Sequence, residues 1–355
     1  DLQSNNPVLV HVITKKGKGY KPAEMDPSKF HGIGPFDKKT GDSLTGSSSK
    51  TFTDVFAGKI VELARKDKKL LAISAAMTDG TGLTRFSKLF PDRFFDVGIA
   101  EEHAVTFAAG LALGGRVPVF AVYSSFLQRA YDQILEDVCL QNLHVIFAID
   151  RAGLVGADGS THQGLFDVSF LTSMPNMTVM APKNKWELSD MIKFAVAFNG
   201  PIAIRYPRGE AYCGLKDHRA AIELGKAEEI KSGRKVMLLA LGSMVKKAEE
   251  VCELLKSHDI DAGICNARFA KPLDKDYLNN LKDKYDMIVT MEENVLIGGF
   301  GEQVQAYLCD SGYKGKVLKI AVKDEFVRHG SVTLLFKELG MDSESITKRI
   351  IDSIG

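Results

Sequence analysis

From Thr51 onward, short runs of β-branched and aliphatic residues alternate with longer stretches of helical spacing, and this alternation restricts the possible fold more than any other feature. Residues 70–74, 117–122, 145–149 and 202–204 read as strands, and 53–65, 101–113 and 126–140 read as helices. Strands separated by helices pair in parallel, so the expected architecture is α/β, a parallel sheet with helices on both faces. Around 213–234 the pattern weakens into a charged connection. It then restarts as a smaller α/β domain, with strands at 236–241, 260–264, 287–291 and 317–320 and helices at 245–257, 302–309 and 332–339. The expected organisation is a remnant and linker at 1–50, a first full domain at 51–212, the connection at 213–234 and a second domain at 235–355.

A chain of 355 residues accommodates two or three such units, since domains usually run to about 100–200 residues. The 46 basic and 45 acidic residues leave a net charge of +1 with no long run of one sign, which gives nucleic acid no electrostatic footprint. No apolar stretch approaches the roughly 20 residues needed to cross a bilayer. Asp1, Leu2, Gln3 and Ser4 do not form the basic start of a signal peptide, so a soluble, cytoplasmic protein is expected. The five cysteines are scattered without C-x-x-C or metal-ligand spacing and read as small buried hydrophobes in a reducing compartment. The chain opens without Met into the apolar run 8–13, read as a strand, and the expectation is a fragment.

Five stretches carry candidate chemistry. In 96–110, DVGIAEEHAVTFAAG, Glu101, Glu102 and His103 sit where a strand gives way to a helix, at the carboxyl edge where open α/β sheets gather ligands. First-turn acids favoured by the helix dipole and a satisfied helix histidine are the plainer reading. In 123–133, YSSFLQRAYDQ, an amphipathic helix would turn Phe126 into the core. The glycine-rich loop 150–164, DRAGLVGADGSTHQG, bends easily around a ligand, although a histidine in such a loop is also at home in solvent. IRYPRG at 204–209 holds Arg205, readable as a salt-bridge partner, and Arg208. The basic segment 14–32, with Lys16, Tyr20 and His31, reads by composition as a solvated tail. GGFGEQ at 298–303 is too short for a dinucleotide fingerprint and reads as a tight turn at a domain or subunit contact.

Taken together and in this order, these stretches closely resemble the deoxyxylulose-phosphate synthases of the transketolase-like thiamine-diphosphate enzymes. The resemblance runs across essentially the whole chain. It implies a pyrimidine-binding thiamine-diphosphate domain followed by a smaller transketolase C-terminal-like domain that binds no cofactor and supports a homodimer. It implies that Glu101 hydrogen-bonds the cofactor's pyrimidine nitrogen, a charge-assisted contact that raises the basicity needed to deprotonate the thiazolium. Phe126 would pack on the pyrimidine and Tyr20 would touch the cofactor. Tyr123 and Arg129 would line the substrate channel, and His162 would reach the reacting carbon.

The same resemblance has Asp158 orient the acceptor, with Lys16 and His31 near the substrates. Arg151 and Arg208 would clamp the phosphate of glyceraldehyde 3-phosphate, since guanidinium forks match phosphate oxygens. The implied reaction decarboxylates pyruvate and joins it to that aldehyde, at the entry to isoprenoid, thiamine and pyridoxal precursors. The family's Mg2+ ligands start from a GDG motif that is absent here, so no metal ligand is expected in this chain, and a missing amino-terminal domain, supplied by a separate chain or removed by cleavage, would hold the diphosphate. The alternatives are a β subunit of a 2-oxoacid dehydrogenase, a transketolase, or a non-catalytic dimeric module.

Overall fold

A computed structural model describes residues 6–27, 29–30, 32–44 and 49–354. The chain divides into two compact units, one ending at Ser49 and the other starting at Lys50. In the first unit, Tyr20, Phe30 and Phe36 cluster with ring centroids 5.3–5.9 Å apart, Phe30 meeting each of the other two edge-to-face. A one-turn helix, Lys21–Met25, follows Tyr20. The run 8–13, expected as a strand, has no strand structure and is exposed, Leu9 at 94% and Ile13 at 84%. Apolar alternation makes a strand only where a neighbour supplies ladder partners, and the described residues of this unit supply none. Part of the expected linker is also ordered. Phe36 and Ser43 bridge across a turn whose Asp37 carboxylate accepts from Lys39 N at 2.7 Å.

The second unit contains the twelve strands found among the described residues, β1 Leu70–Ser74, β2 Phe94–Asp96, β3 Val117–Tyr123, β4 Ile146–Asp150, β5 Thr178–Met180, β6 Ile202–Arg205, β7 Glu228–Lys231, β8 Val236–Ala240, β9 Ala262–Asn266, β10 Phe269–Lys271, β11 Met287–Val295 and β12 Lys316–Val322. They form a seven-stranded sheet in the order β10-β5-β6-β4-β3-β1-β2 and a five-stranded sheet in the order β12-β11-β8-β9-β7. Pairing is parallel except at the edge strands β10 and β7. β7 lies inside the stretch expected as a connection. β10, from the second sequence region, closes the edge of the first sheet by pairing with β5.

Strand geometry sends alternate side chains to opposite faces. Ala72, Val119, Ala121, Ile146 and Ala148 meet the helices Phe52–Lys66 and Lys185–Ala197 on one face. Ile73, Phe120, Val122, Phe147 and Ile149 meet the helix Glu101–Leu113 on the other. This second core continues into Leu239, Cys265 and Ile288 of the five-stranded sheet, so no solvent layer parts the two sheets. Helix Phe52–Lys66 starts at a capping box in which Thr51 and Asp54 satisfy each other's amides. The helix expected over 126–140 is instead a succession of short turns, Ser124–Leu127, Gln128–Ala130 and Tyr131–Gln133, ending in a wide π-helical stretch, Ile134–Cys139. Such widening is frequent beside functional sites, and here it follows the segment carrying Phe126 and Arg129.

Between the sheets lies a buried ionic cluster. Glu187 accepts from Lys183 Nζ at 2.9 Å, Arg268 Nε at 2.8 Å and Asn266 Nδ2 at 2.9 Å, while Lys183 also donates to Glu228 at 2.6 Å. Burial raises the Glu228 carboxyl, but the Lys183 ammonium and the Ala220 amide more than offset this and hold it below its ordinary 4.5. Glu228 therefore contributes stability above pH 4.5 that is lost as pH falls below that value. Removing one partner of a buried ionic group leaves the others uncompensated, at a cost of about 3–5 kcal/mol. Glu187→Ala should lower the unfolding free energy by that amount, read as an earlier midpoint in urea. Emission of Trp186, the single tryptophan, and far-ultraviolet dichroism should still trace one shared transition.

Candidate active site at the carboxyl edge of the first sheet

Parallel strands end together, and the loops after β1, β2, β3, β4 and β6 all leave the same edge of the seven-stranded sheet. Glu101 is the first residue of its helix and is only 1% exposed. A carboxylate suits this position because the unpaired amides and the dipole of the first turn favour negative charge. Arg129, arriving from the irregular segment after β3, donates to Glu101 Oε2 at 2.9 Å. Glu102 and His103, one step further round the helix, are exposed, and the His103 ring stacks on Phe107 at 6.0 Å.

The aromatic part of the site is built on the next strand end. Tyr123 closes β3, and its ring stacks on Phe126 at 5.7 Å. Phe126 meets the His162 imidazole edge-on at 5.2 Å, and Thr161 Oγ1 lies 2.9 Å from His162 Nδ1. Burial pushes the Tyr123 phenol above its usual range, so it remains a neutral hydrogen-bonding group. The Arg151 guanidinium lies 3.8 Å from the centre of the same tyrosine ring.

Arg151 follows the buried Asp150 that ends β4 and has a positive φ of 58°, a conformation that costs energy outside glycine. The Asp150 carboxylate stabilises it by accepting from the Arg151 backbone N at 2.7 Å and from its Nη1 at 3.2 Å. Thr53 Oγ1 donates to the other oxygen at 2.7 Å. Burial raises the Asp150 carboxyl to about 6, against the pull of Arg151 and Thr53. Arg151 Nη1 also donates to Gly80 O at 2.7 Å, which brings in the loop after β1. A Cβ at position 80 would fall 1.7 Å from the Tyr123 hydroxyl, so a side chain there would push the tyrosine ring aside.

The glycine-rich loop is closed at its neck by paired bonds between Gly153 and Gly164, at 2.7 and 2.8 Å. Below the neck, the buried Arg205 makes a two-pronged pair with Asp167, Nε to Oδ2 at 2.7 Å, and donates to Glu293 O at 3.0 Å. Arg205 thus has the salt-bridge role. Glu293 in turn accepts from Leu154 N at 3.0 Å and from Ser243 Oγ at 2.5 Å. At the loop's tip, Asp158 pairs with Arg208 Nη1 at 2.5 Å, and both are partly exposed.

The structure therefore brings Glu101, Tyr123, Phe126, Arg129, Arg151, Asp158, His162 and Arg208 to one edge in three sets of contacts, Glu101 with Arg129, Tyr123 and Phe126 with His162 and Arg151, and Asp158 with Arg208. Lys16, exposed, and Tyr20, whose hydroxyl donates to Lys38 O at 3.1 Å, belong to the first unit. His31 lies outside the described residues. The sequence reading passed over Gly80, Asp150 and Glu293. The only cue to Asp150 was a carboxylate ending the apolar run VIFAID. GGFGEQ is a tight turn against the first domain: Gly298 has φ +68°, a Cβ there would lie 3.4 Å from Ser169, and Ser169 Oγ donates to Ile297 O. Glu292, raised by burial to about 7, accepts from Phe300 N and Gly301 N at 2.8 and 2.7 Å. Among the described residues, no cluster of three or more His, Cys, Asp or Glu is arranged to hold a metal, and no helix is long and apolar enough to cross a membrane.

Comparison with known proteins places the two α/β regions in known domain families. Residues 48–212 match the model of the transketolase pyrimidine-binding domain and residues 225–346 that of the transketolase C-terminal domain. The 1-deoxy-D-xylulose-5-phosphate synthase of Lachnoclostridium phytofermentans is 56% identical over 98% of this chain, and that of Aquifex aeolicus is 49% identical over 98%. These matches cover 56% and 55% of the relatives, so the chain spans about half the length of the curated proteins it resembles. Among solved structures, a split-gene transketolase described as an inactive β4 tetramer superposes with a TM-score of 0.77 at 28% identity, over 86% of this chain and 98% of its own. The Campylobacter jejuni transketolase, at 18% identity, 0.70, and 86% and 47% coverage, shares the fold. The chain carries the pyrimidine-binding and C-terminal domains of the transketolase family, to which it belongs, and it is similar to 1-deoxy-D-xylulose-5-phosphate synthases over about half of their length.

Proposed function

We propose that this chain supplies the pyrimidine-side half of a thiamine-diphosphate active site that decarboxylates pyruvate and joins the remaining two carbons to glyceraldehyde 3-phosphate. The observation that carries the reading is the buried Glu101 carboxylate at a helix start on the sheet's carboxyl edge, within reach of the segment bearing Phe126. The residues present fit the pyrimidine end of the cofactor. A buried carboxylate can accept from a protonated ring nitrogen, and an aromatic face can pack on a neutral heterocycle. Bound thiamine diphosphate supplies the nucleophilic carbon and the electron sink for decarboxylation.

In this reading Glu101 holds a proton on the pyrimidine nitrogen, and Arg129 fixes the orientation of its carboxylate. Phe126 and Tyr123 exclude water from one side of the site. His162, seated against Phe126, exchanges a hydrogen bond with the reacting oxygen. Arg208 and Arg151 bind the aldehyde's phosphate, and Asp158 limits where the Arg208 guanidinium can go. Lys16, Tyr20 and His31 are assigned to substrates and cofactor by resemblance. Mg2+ and the diphosphate are assigned to residues outside this chain. The exposed Ile99, Leu113 and Leu140 beside the helix Glu101–Leu113 support a homodimer contact. The split-gene neighbour favours a second reading of the assembly, in which the diphosphate half is a separate chain.

In the full-length enzyme carrying this chain, Glu101→Gln should lower kcat by about 10²–10⁴-fold with pyruvate and glyceraldehyde 3-phosphate. Unchanged turnover would remove Glu101 from the mechanism. Arg208→Ala should raise KM for the phosphorylated aldehyde by roughly tenfold or more and leave KM for pyruvate within a factor of a few, read from initial rates at varied substrate. Because Asp150 titrates near 6, protonation as the pH falls through that value weakens its hold on Arg151. KM for the phosphorylated aldehyde should therefore climb below about pH 6. Asp150→Asn should show a high KM already at pH 8 and a flatter profile.

A further inference from the structure

The C-terminal domain, which the family resemblance leaves without cofactor contacts and with a part in the dimer, reaches the glycine-rich loop through its own segment 323–331. Gln163, 3% exposed, uses its side chain as a two-ended link. Its Oε1 accepts from Val155 N at 2.8 Å, and its Nε2 donates to Arg328 O at 3.0 Å. Gly330 N donates to Gly156 O at 3.3 Å. The two segments are in close contact: a Cβ on Gly156 would lie a tight 3.0 Å from Gly330 O, one on Gly159 would touch the Cβ of His329 at 3.4 Å, and both residues have the positive φ that favours glycine. Val327 is buried beneath the segment, and Phe326 packs on Phe166 with ring centroids 6.4 Å apart.

These contacts seat His329 over Gly159, the residue next to Asp158, whose carboxylate holds Arg208. Both Arg328 and His329 are exposed, so their polar ends face solvent at the rim where Arg208 is also accessible. Arg328 is anchored through its backbone carbonyl, which leaves the guanidinium free for another partner. A rim carrying Arg208, Arg328 and an imidazole offers donors on two sides to a dianionic group, and multiple charge-assisted donors are what phosphate recognition requires.

We propose that the segment 323–331 is a wall of the acceptor site and that His329 and Arg328 are specificity residues for the phosphate of the aldehyde. The inference rests on the function proposed above and assigns the C-terminal domain a part in substrate choice. Both residues can be truncated without breaking the contacts that dock the segment, because His329→Ala keeps the Cβ over Gly159 and Arg328→Ala keeps the carbonyl bonded to Gln163.

The test is the full-length enzyme with pyruvate and either glyceraldehyde 3-phosphate or unphosphorylated glyceraldehyde. The double variant His329→Ala/Arg328→Ala should raise KM for the phosphorylated aldehyde about tenfold. It should leave kcat/KM for the unphosphorylated aldehyde and KM for pyruvate unchanged, and competitive inhibition by inorganic phosphate should weaken in step. Equal losses with both aldehydes, or no change with either while the parent enzyme is active, would overturn the assignment. A parent enzyme that makes no product from pyruvate and glyceraldehyde 3-phosphate overturns the functional reading itself.

Discussion

Parallel pairing is the constraint on which the site depends. Because β1, β2, β3, β4 and β6 run the same way in register, residues far apart in sequence emerge at one edge without any long connection. Each strand end then contributes one kind of chemistry: a carboxylate after β2, aromatic rings after β3, a guanidinium after β4 and another after β6. A one-residue slip of β3 against β4 would reverse the faces of Phe120 and Val122 and send Tyr123 away from Arg151. The hydrophobic register of the core and the geometry of the site are therefore one requirement.

Buried charge supplies the second level of order. Parallel strands fix where loops start but not how they bend, and the glycine-rich loop buries Ala152, Leu154 and Val155 at its base while its tip, 156–162, carries no large apolar side chain. Arg205, Asp167 and Glu293 fix its base through hydrogen bonds to backbone and side chain, and Asp150 fixes the unusual backbone of Arg151. Desolvation makes each of these groups costly alone, so each has a partner that satisfies it. The resulting frame leaves Asp158, His162 and Arg208 as the more accessible parts of the site.

The strands that carry β-branched runs and the helices with clear periodicity were legible in the sequence because tertiary packing agrees with local preference there. β2, β5 and β10 have three residues each, too few to show a period, and β7 is an edge strand with charged residues. The segment after Phe126 keeps helical spacing while its hydrogen bonds change from turn to turn, which spacing cannot reveal. Run 8–13 has the right composition for a strand but no strand partner among the described residues. The site residues that resemblance to a family pointed out were those on recognisable motifs. Gly80, Asp150 and Glu293 act through backbone fit and second-hand contacts, and the sequence alone gives such roles no distinctive pattern.

β10 also bears on how this architecture can be divided. The family's two modules meet between residues 212 and 225 in sequence, yet in space the later module lends a strand to the earlier one. Cutting the gene at that seam would leave β5 with a bare row of amides and carbonyls, an invitation to aggregate. Exchange of modules between relatives must therefore carry Phe269–Lys271 along with the first sheet or supply a replacement for it.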